Sequence, residues 1–333
     1  ATGEVVWQFQ TVHHDIWDDD VAAQPSLVSL RRDGREIAAV VVATKAGFVF
    51  VLDRETGKPL FPVEERPFPA SDVADERPSP TQPVPLEPPP LVPQALGPDD
   101  AWGLLYFDRL ACRRRIAAAR SEGLYTPPSL RGTILFPFTG GGVNWGGGAF
   151  DPSRQLFVVN TTSLAHVVRL IPRAEYATAR AANPKVEIGR ALGTPYAALR
   201  DVLLSPLGIP CNPPPWGSLA AVDLDAGTIR WQVPLGARAF GLIRGLPNQG
   251  GPIATAGGLV FIAAAMDDAL RAFDIETGEE IWKAKLPAGG QATPMTYVVD
   301  GRQFVVIAAG GHARMGTTLG DAVVAFALPA RPR

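Results

Sequence analysis

The sequence predicts an all-β propeller, with about four blades' worth of four-stranded antiparallel sheets in a single unit over residues 1–333. Three observations point there. Gly (34) and Pro (33) together make about a fifth of the 333 residues, which favours many turns and short strands over long helices. Four segments repeat a Thr/Ala-Gly pair with an aromatic four residues after the glycine: Gly3 to Trp7, Gly57 to Phe61, Gly227 to Trp231 and Gly278 to Trp282. Gly227 and Gly278 lie 51 residues apart, about the length of one blade.

Three of these segments also place an Asp four residues before the glycine, at Asp53, Asp223 and Asp274. The unit reads as strand, tight turn, strand: the Asp bonds turn amides, the glycine takes a positive φ, and the aromatic wedges against a neighbouring unit. Strands follow around each turn. Ile37 to Ala43 and Gly47 to Leu52 are the middle of one blade. Leu156 to Val159 and His166 to Ile171 belong to a second, completed by Leu219 to Val233, and Pro252 to Leu286 is a third. The last has Thr293 to Val299, Gln303 to Ala309 and Ala322 to Leu328, without an outer strand; residues 4–10 form an outer strand without a blade. Those two ends could pair in a closed four-unit ring, or the chain completes itself with another chain; an open edge invites aggregation.

Two insertions, about 62–130 and 172–215, interrupt the repeat. Residues 62–99 hold 12 of the 33 prolines and read as an extended surface loop. Asp99-Asp100 then starts a helix through Arg120, whose Arg113 to Arg115 run reads as a solvated face. Residues 172–210 mix a short helical stretch with loop.

A net charge of −2 gives no electrostatic case for nucleic acid. No apolar run approaches the roughly 20 residues of a spanning helix, and no signal peptide is visible at Ala1; any membrane anchor lies outside this chain. Cys112 and Cys211 can be one bridge, two thiols or part of a metal site, although their separation fits no compact zinc spacing.

The chemistry concentrates in Trp7-Gln-Phe-Gln-Thr-Val-His13-His14-Asp15-Ile-Trp17-Asp18-Asp19-Asp20. Between His13 and Val21 stand two imidazoles, four carboxylates and an indole. Composition alone allows a solvated acidic turn, but Trp17 among the acids needs something to cover. Lys45, within an otherwise apolar strand pair, needs an anionic partner or a route to solvent. Asn144-Trp145 follows Gly140 to Gly142 and opens a strand, where glycines admit close approach and Asn offers donor and acceptor. Asn160 sits at a strand end. His312 lies in the Gly-rich loop Gly310-Gly311-His312-Ala-Arg314. His13 and His14 read as structural, since hard cations prefer oxygen ligands, and His166 shows nothing beyond its strand. No Gly-x-Gly-x-x-Gly follows a strand to hold NAD.

The opening run through Ala23-Gln24-Pro25, together with Gly310-Gly311-His312 and Gly316-Thr-x-x-Gly-Asp321, closely resembles the membrane-bound quinoprotein dehydrogenases of the glucose/quinate/shikimate type, which use pyrroloquinoline quinone (PQQ). The resemblance covers essentially the whole chain and corresponds to the C-terminal half of such an enzyme, four blades of an eight-bladed propeller. It implies alcohol oxidation, with Asp18 as the base beside a Ca²⁺ or Mg²⁺ ion that it also ligates, and a quinone accepting the hydride. It implies Lys45, Asn144, Trp145 and Asn160 at the cofactor and His312 near the substrate; Arg314 could meet a substrate carboxylate. Asn144 tilts the substrate from glucose toward quinate-like or other polyols. The cofactor's stacking Trp and further cation ligands are expected from the N-terminal half, making that half, or a second copy, a partner. Ubiquinone is the implied electron acceptor. Cysteines in the settings of Cys112 and Cys211 favour a long-range disulfide over two buried thiols, and with it the periplasm. The alternatives are a non-catalytic propeller scaffold that binds protein, or an inactive half-enzyme; a scaffold has no use for Trp17-Asp18 with Lys45 and Asn144.

Overall fold

The Asp-to-Gly turns close as the repeat predicts. Asp53 Oδ1 accepts the Glu55 and Thr56 amides at 3.0 and 2.8 Å, and Asp274 Oδ1 the Glu276 and Thr277 amides, both at 2.9 Å. Asp223 Oδ1 accepts the Asp225 and Ala226 amides at 3.1 and 3.0 Å. Gly57, Gly227 and Gly278 take φ of 72°, 67° and 73°, a region that L side chains rarely adopt. A Cβ on Gly57 would lie 2.6 Å from the Trp7 ring, one on Gly227 2.6 Å from Phe61, and one on Gly278 2.7 Å from Trp231. Each aromatic therefore docks on the turn glycine of the next unit. The repeat is the joint between blades.

The structure, a computed structural model, describes residues 2–32, 34–184, 186–238 and 243–329. Blade I comprises Ser26–Arg32, Arg35–Ala43 and Val49–Asp53, with a single bridge from Leu52 to Pro59 at its outer edge. Blade II orders Gly148–Asp151, Leu156–Thr162, Gly217–Asp223 and Thr228–Pro234. Blade III orders Ile253–Ala254, Leu259–Ile262, Ala269–Asp274 and Glu280–Lys285, and blade IV Met295–Val299, Arg302–Ala309 and Ala322–Phe326. All pairings are antiparallel. Middle strands are covered on both faces: Leu156–Thr162 is buried at every residue. Successive blades share cores, with Val41, Val51 and Phe157 between I and II, Val158, Leu219 and Ile262 between II and III, and Leu270, Leu286 and Ile307 between III and IV.

Five expectations need correction. His166–Pro172 does not join blade II, because Leu156–Thr162 takes Gly217–Asp223 as its partner. It pairs instead with Thr133–Leu135 and Tyr196–Val202, and Tyr196–Val202 with Glu187–Gly189, in a four-stranded inserted sheet. The Pro-rich insertion is not all loop: Val63–Pro67 and Thr81–Pro85 form a hairpin. The inserted helix begins at Tyr106, not Asp99, since the Trp102 amide is committed to the Cys211 carbonyl at 2.7 Å; it ends at Ala118. Residues 4–10 are not a paired strand; Trp7 docks on blade I through Gly57 and donates from Nε1 to the Arg54 carbonyl at 2.9 Å. Among the described residues Ala322–Phe326 pairs with Arg302–Ala309 alone, so the two ends do not close a four-unit ring.

A disulfide joins Cys112, on the inserted helix, to Cys211, just beyond the inserted sheet. Both are fully buried beside Leu96, Ile116 and Leu203, so the bridge staples the two insertions through a shared core. Among the described residues no helix is long and apolar enough to cross a membrane.

Candidate active site

Residues 13–20 are held by blade I, the hairpin, the inserted sheet and the turn at Tyr125-Thr126. The His13 amide donates to Gln82 Oε1 at 2.6 Å and its Nε2 lies 2.9 Å from Glu65, both on or beside the hairpin. His14 pairs with Glu76 at 3.4 Å. Trp17 is buried against Tyr125, ring centroids 5.0 Å apart, and its Nε1 donates to the Thr126 carbonyl at 3.1 Å. These anchors turn the intervening carboxylates toward Lys45.

Asp18 adopts φ 72°, a left-handed conformation that Asp tolerates better than most residues. Two cations hold its carboxylate: Lys45 Nζ at 3.2 Å from Oδ1 and Arg200 Nη1 at 3.0 Å from Oδ2. Lys45 also donates to the Asp18 carbonyl at 2.9 Å and to Asp20 Oδ1 at 2.6 Å. The Lys45 side chain is only 9% exposed. Burial works against its charge, but the hydrogen bond to Asp20 and the charge of Asp18 outweigh it and raise its pKa. Burial likewise works against charge on Asp20, and Lys45 more than offsets it, holding Asp20 below the usual carboxylate range. Asp19 points inward, fully buried. Burial first, then the Asp15 charge, push it up to about 8, with Lys45 opposing.

Asp18 opens onto a cleft of about 770 Å³ whose walls also carry Asn144, Asn160, His312 and Arg314. Five of the residues singled out from sequence thus meet in one place. Lys45 stands behind Asp18, outside that lining, and Trp145 is 46% exposed and not brought to the cleft. Asn144 spends its amide on its own loop, donating to the Gly140 carbonyl at 2.6 Å and accepting the Trp145 amide at 2.7 Å. The glycines nearby admit protein as well as open space: a Cβ on Gly141 would lie 2.5 Å from the Lys45 stem, and one on Gly146 1.8 Å from the Gly250 carbonyl.

Several residues in the cleft were not singled out from sequence. Asn248 accepts Asn160 Nδ2 at 2.6 Å and donates to the Thr161 carbonyl at 2.7 Å, tying blade II to the approach of blade III. His166, from the inserted sheet, lies with Nδ1 3.0 Å from the Thr139 hydroxyl and its ring edge-on to Phe138. Burial, and then the Arg200 charge, push it down to about 4. Arg200 and Glu187 complete the wall. Their only sequence signal was charge inside a segment read as loop.

PQQ presents carboxylates and quinone oxygens on a flat aromatic frame, so it needs cations and hydrogen-bonding groups in a cleft. Three guanidinium groups, Arg200, Arg238 and Arg314, line this one. Asn160 Oδ1, Gln249 Oε1 and His312 Nδ1 are buried and find no partner among the described residues, although all three residues line the cleft. Buried polar atoms of this kind require a partner, and the residues fit such a ligand. A divalent cation is less well provided for. Lys45 and Arg200 already set two positive charges against the Asp18 carboxylate, where a further cation would be repelled, and the described residues hold no group of three His, Cys, Asp or Glu arranged as its ligands.

The profile of the PQQ-linked glucose/ethanol/alcohol dehydrogenase β-propeller domain matches residues 1–305. The chain belongs to this PQQ β-propeller family. Among its relatives, the quinoprotein glucose dehydrogenase of Escherichia coli is 40% identical over 99% of this chain and 43% of its own length. The probable quinate dehydrogenase (quinone) of Xanthomonas campestris is 44% identical over 99% of this chain and 44% of its own. The chain thus spans less than half the length of the curated relatives it matches. The quinohemoprotein alcohol dehydrogenase of Comamonas testosteroni superposes on all of this PQQ propeller chain and 42% of its own with a TM-score of 0.59 at 21% identity, which shows a common fold.

Proposed function

We propose that this chain forms part of the active site of a PQQ-dependent dehydrogenase that oxidises the CH–OH group of a sugar, cyclic polyol or quinate/shikimate-type alcohol. The observation that carries this is the Asp18 carboxylate at a cleft lined by three guanidinium groups and three buried, unpartnered polar atoms. When bound, PQQ supplies the hydride acceptor that no side chain can. Asp18 takes the hydroxyl proton on a carboxylate oxygen. Lys45 pairs with that carboxylate and joins it to Asp20. Asn160 and His312 offer hydrogen bonds to cofactor and substrate; Arg314 is placed for a substrate carboxylate. A Ca²⁺ or Mg²⁺ ion would need oxygen ligands beyond those the described residues bring together.

Ubiquinone is the proposed electron acceptor, and the complementary half of the propeller, or a second copy of this chain, the proposed partner. The Cys112–Cys211 disulfide supports a periplasmic setting. A protein-binding scaffold would need the aromatic-on-glycine joints but not a buried lysine between two aspartates. The glucose and quinate relatives match with nearly equal identity (40% and 44%), and the Asn144 amide is engaged by its own loop, so neither selects the substrate.

The test is reduction of a redox dye by the protein with PQQ and Ca²⁺ or Mg²⁺, offered glucose, quinate, shikimate and simple polyols. Turnover with one of these, lost in Asp18→Asn, is expected. Equal turnover in Asp18→Asn would remove Asp18 from the chemistry.

A further inference from the structure

We propose that Arg200 is the positioning residue for Asp18: it fixes the direction of the carboxylate that takes the substrate proton. This rests on the reading of Asp18 as the base. Arg200 stands on Tyr196–Val202, a strand of the inserted sheet that plays no part in the propeller repeat. From there it reaches a residue 182 positions away, placing Nη1 3.0 Å from Asp18 Oδ2, while Nη2 lies 2.8 Å from Glu187 Oε1.

The anchor is built into the strand register. Glu187 and Arg200 are directly opposite each other in the antiparallel pairing of Glu187–Gly189 with Tyr196–Val202. Cross-strand opposition holds such a pair without depending on a flexible loop. An arginine fork can hold two carboxylates at fixed angles, which a lysine ammonium cannot do. Asp18 needs that help: its backbone is in the left-handed region, and its side chain is 48% exposed, with Lys45 as the other cation on its carboxylate. A carboxylate has about four lone-pair sites, so two cations leave it able to accept a proton from an alcohol.

Arg200 also stands where two spaces meet. Asp18, Thr139 and Arg200 line both the cleft and a second chamber of about 690 Å³, walled by Trp17, Val168, Leu170, Tyr196 and Ala198. Shortening Arg200 removes part of this partition and leaves a guanidinium-sized opening beside Asp18. The lost group can therefore be supplied from solution.

The experiment compares Arg200→Ala, Arg200→Lys, Glu187→Gln and Asp18→Asn in the PQQ-loaded protein, with guanidinium chloride titrated at low, non-denaturing concentration. Misplacement of a reacting group costs roughly 100-fold in rate. Arg200→Ala is expected to lose about that much in kcat with little change in KM, guanidinium to restore part of it, and Arg200→Lys to fall between. Glu187→Gln, which keeps the guanidinium but loosens its anchor, is expected to show a smaller loss in kcat and covers the case in which Arg200→Ala does not fold. A thermal-melt double-mutant cycle of Asp18→Asn and Arg200→Ala in the protein without cofactor should be non-additive, showing the pair directly. Additive melts, or an unchanged kcat in both Arg200→Ala and Glu187→Gln while Asp18→Asn is inactive, would overturn the assignment and leave the base intact. Full turnover in Asp18→Asn would instead remove the base, and the assignment with it.

Discussion

At the scale of single residues the site depends on how charge is distributed around Asp18. Lys45 is the keystone: a nearly buried ammonium that touches Asp18 twice and Asp20 once. Replacing it by Ala leaves Asp18 and Asp20 facing each other across a void. A loss of about 2 kcal/mol is expected, the scale of hydrogen bonds to charged groups, read as a lower urea midpoint at unchanged m-value. His166 gives a pH signature. Its pKa falls from 6.5 to about 4 on folding, mainly by burial, so below pH 6.5 the unfolded chain binds the proton that the folded chain refuses. Stability should fall as pH drops from about 6.5 to 4, by up to about 3 kcal/mol, and stay level in this respect above 6.5. His166→Gln should flatten that slope in urea unfolding measured at pH 4, 5, 6 and 7; an unchanged slope would contradict the burial argument. Asp18, Asn160, His312 and Arg314 were singled out in sequence through the family resemblance and their positions in or beside its motifs, and all four line the cleft. His166 and Arg200 were not singled out, because their importance comes from strands that pair across long separations, and periodicity does not say which sheet a strand joins.

The elements tell the same story at longer range. The aromatic-on-glycine joint was readable because it is local and repeated: turn, positive-φ glycine and docking ring recur with fixed spacing. Gly278→Ala is expected to destabilise by more than about 1 kcal/mol, since φ is 73° and a Cβ would stand 2.7 Å from the Trp231 ring. Alanine at Gly301, where φ is also 73° but nothing lies within 4 Å of the added Cβ, should cost less by the same unfolding assay. Equal losses would mean that the ring contact contributes nothing. The hairpin Val63–Pro67 with Thr81–Pro85 escaped notice for a physical reason: Pro67, Pro83 and Pro85 lie within it, and proline in a strand ordinarily argues against one. The disulfide joins residues 99 apart. On a loop-entropy account its reduction should cost about 4 to 5 kcal/mol, concentrated in the insertions. Hydrogen exchange after reduction should quicken in Tyr106–Ala118 and Tyr196–Val202 before the blade strands.

For the molecule as a whole, what matters is how the blades end. Blade IV presents Met295–Val299 exposed at every residue, and at the other end Val5 and Val6 are 81% and 84% exposed. A contiguous exposed strand calls for a covering surface, and the chain spans less than half the length of the relatives it matches. The chain on its own is therefore expected to self-associate, or to pair with the complementary half of the propeller when both are present, as read by light scattering on size exclusion; a strictly monomeric chain that ignores that half would contradict this. The sequence could show that units repeat and which kind of family they build. It could not show how the insertions fold over the site, since nothing in their composition encodes a second sheet.

The most direct test is a titration of the folded protein with PQQ, with and without Ca²⁺, followed by cofactor absorbance and tryptophan fluorescence. Saturable binding of one PQQ per cleft is predicted, weakened in Asn160→Ala and in Arg238→Ala, which remove a buried hydrogen-bonding amide and a guanidinium from its walls. Absence of saturable binding by the folded protein, or binding indifferent to both substitutions, would contradict the assignment of this cleft to the cofactor.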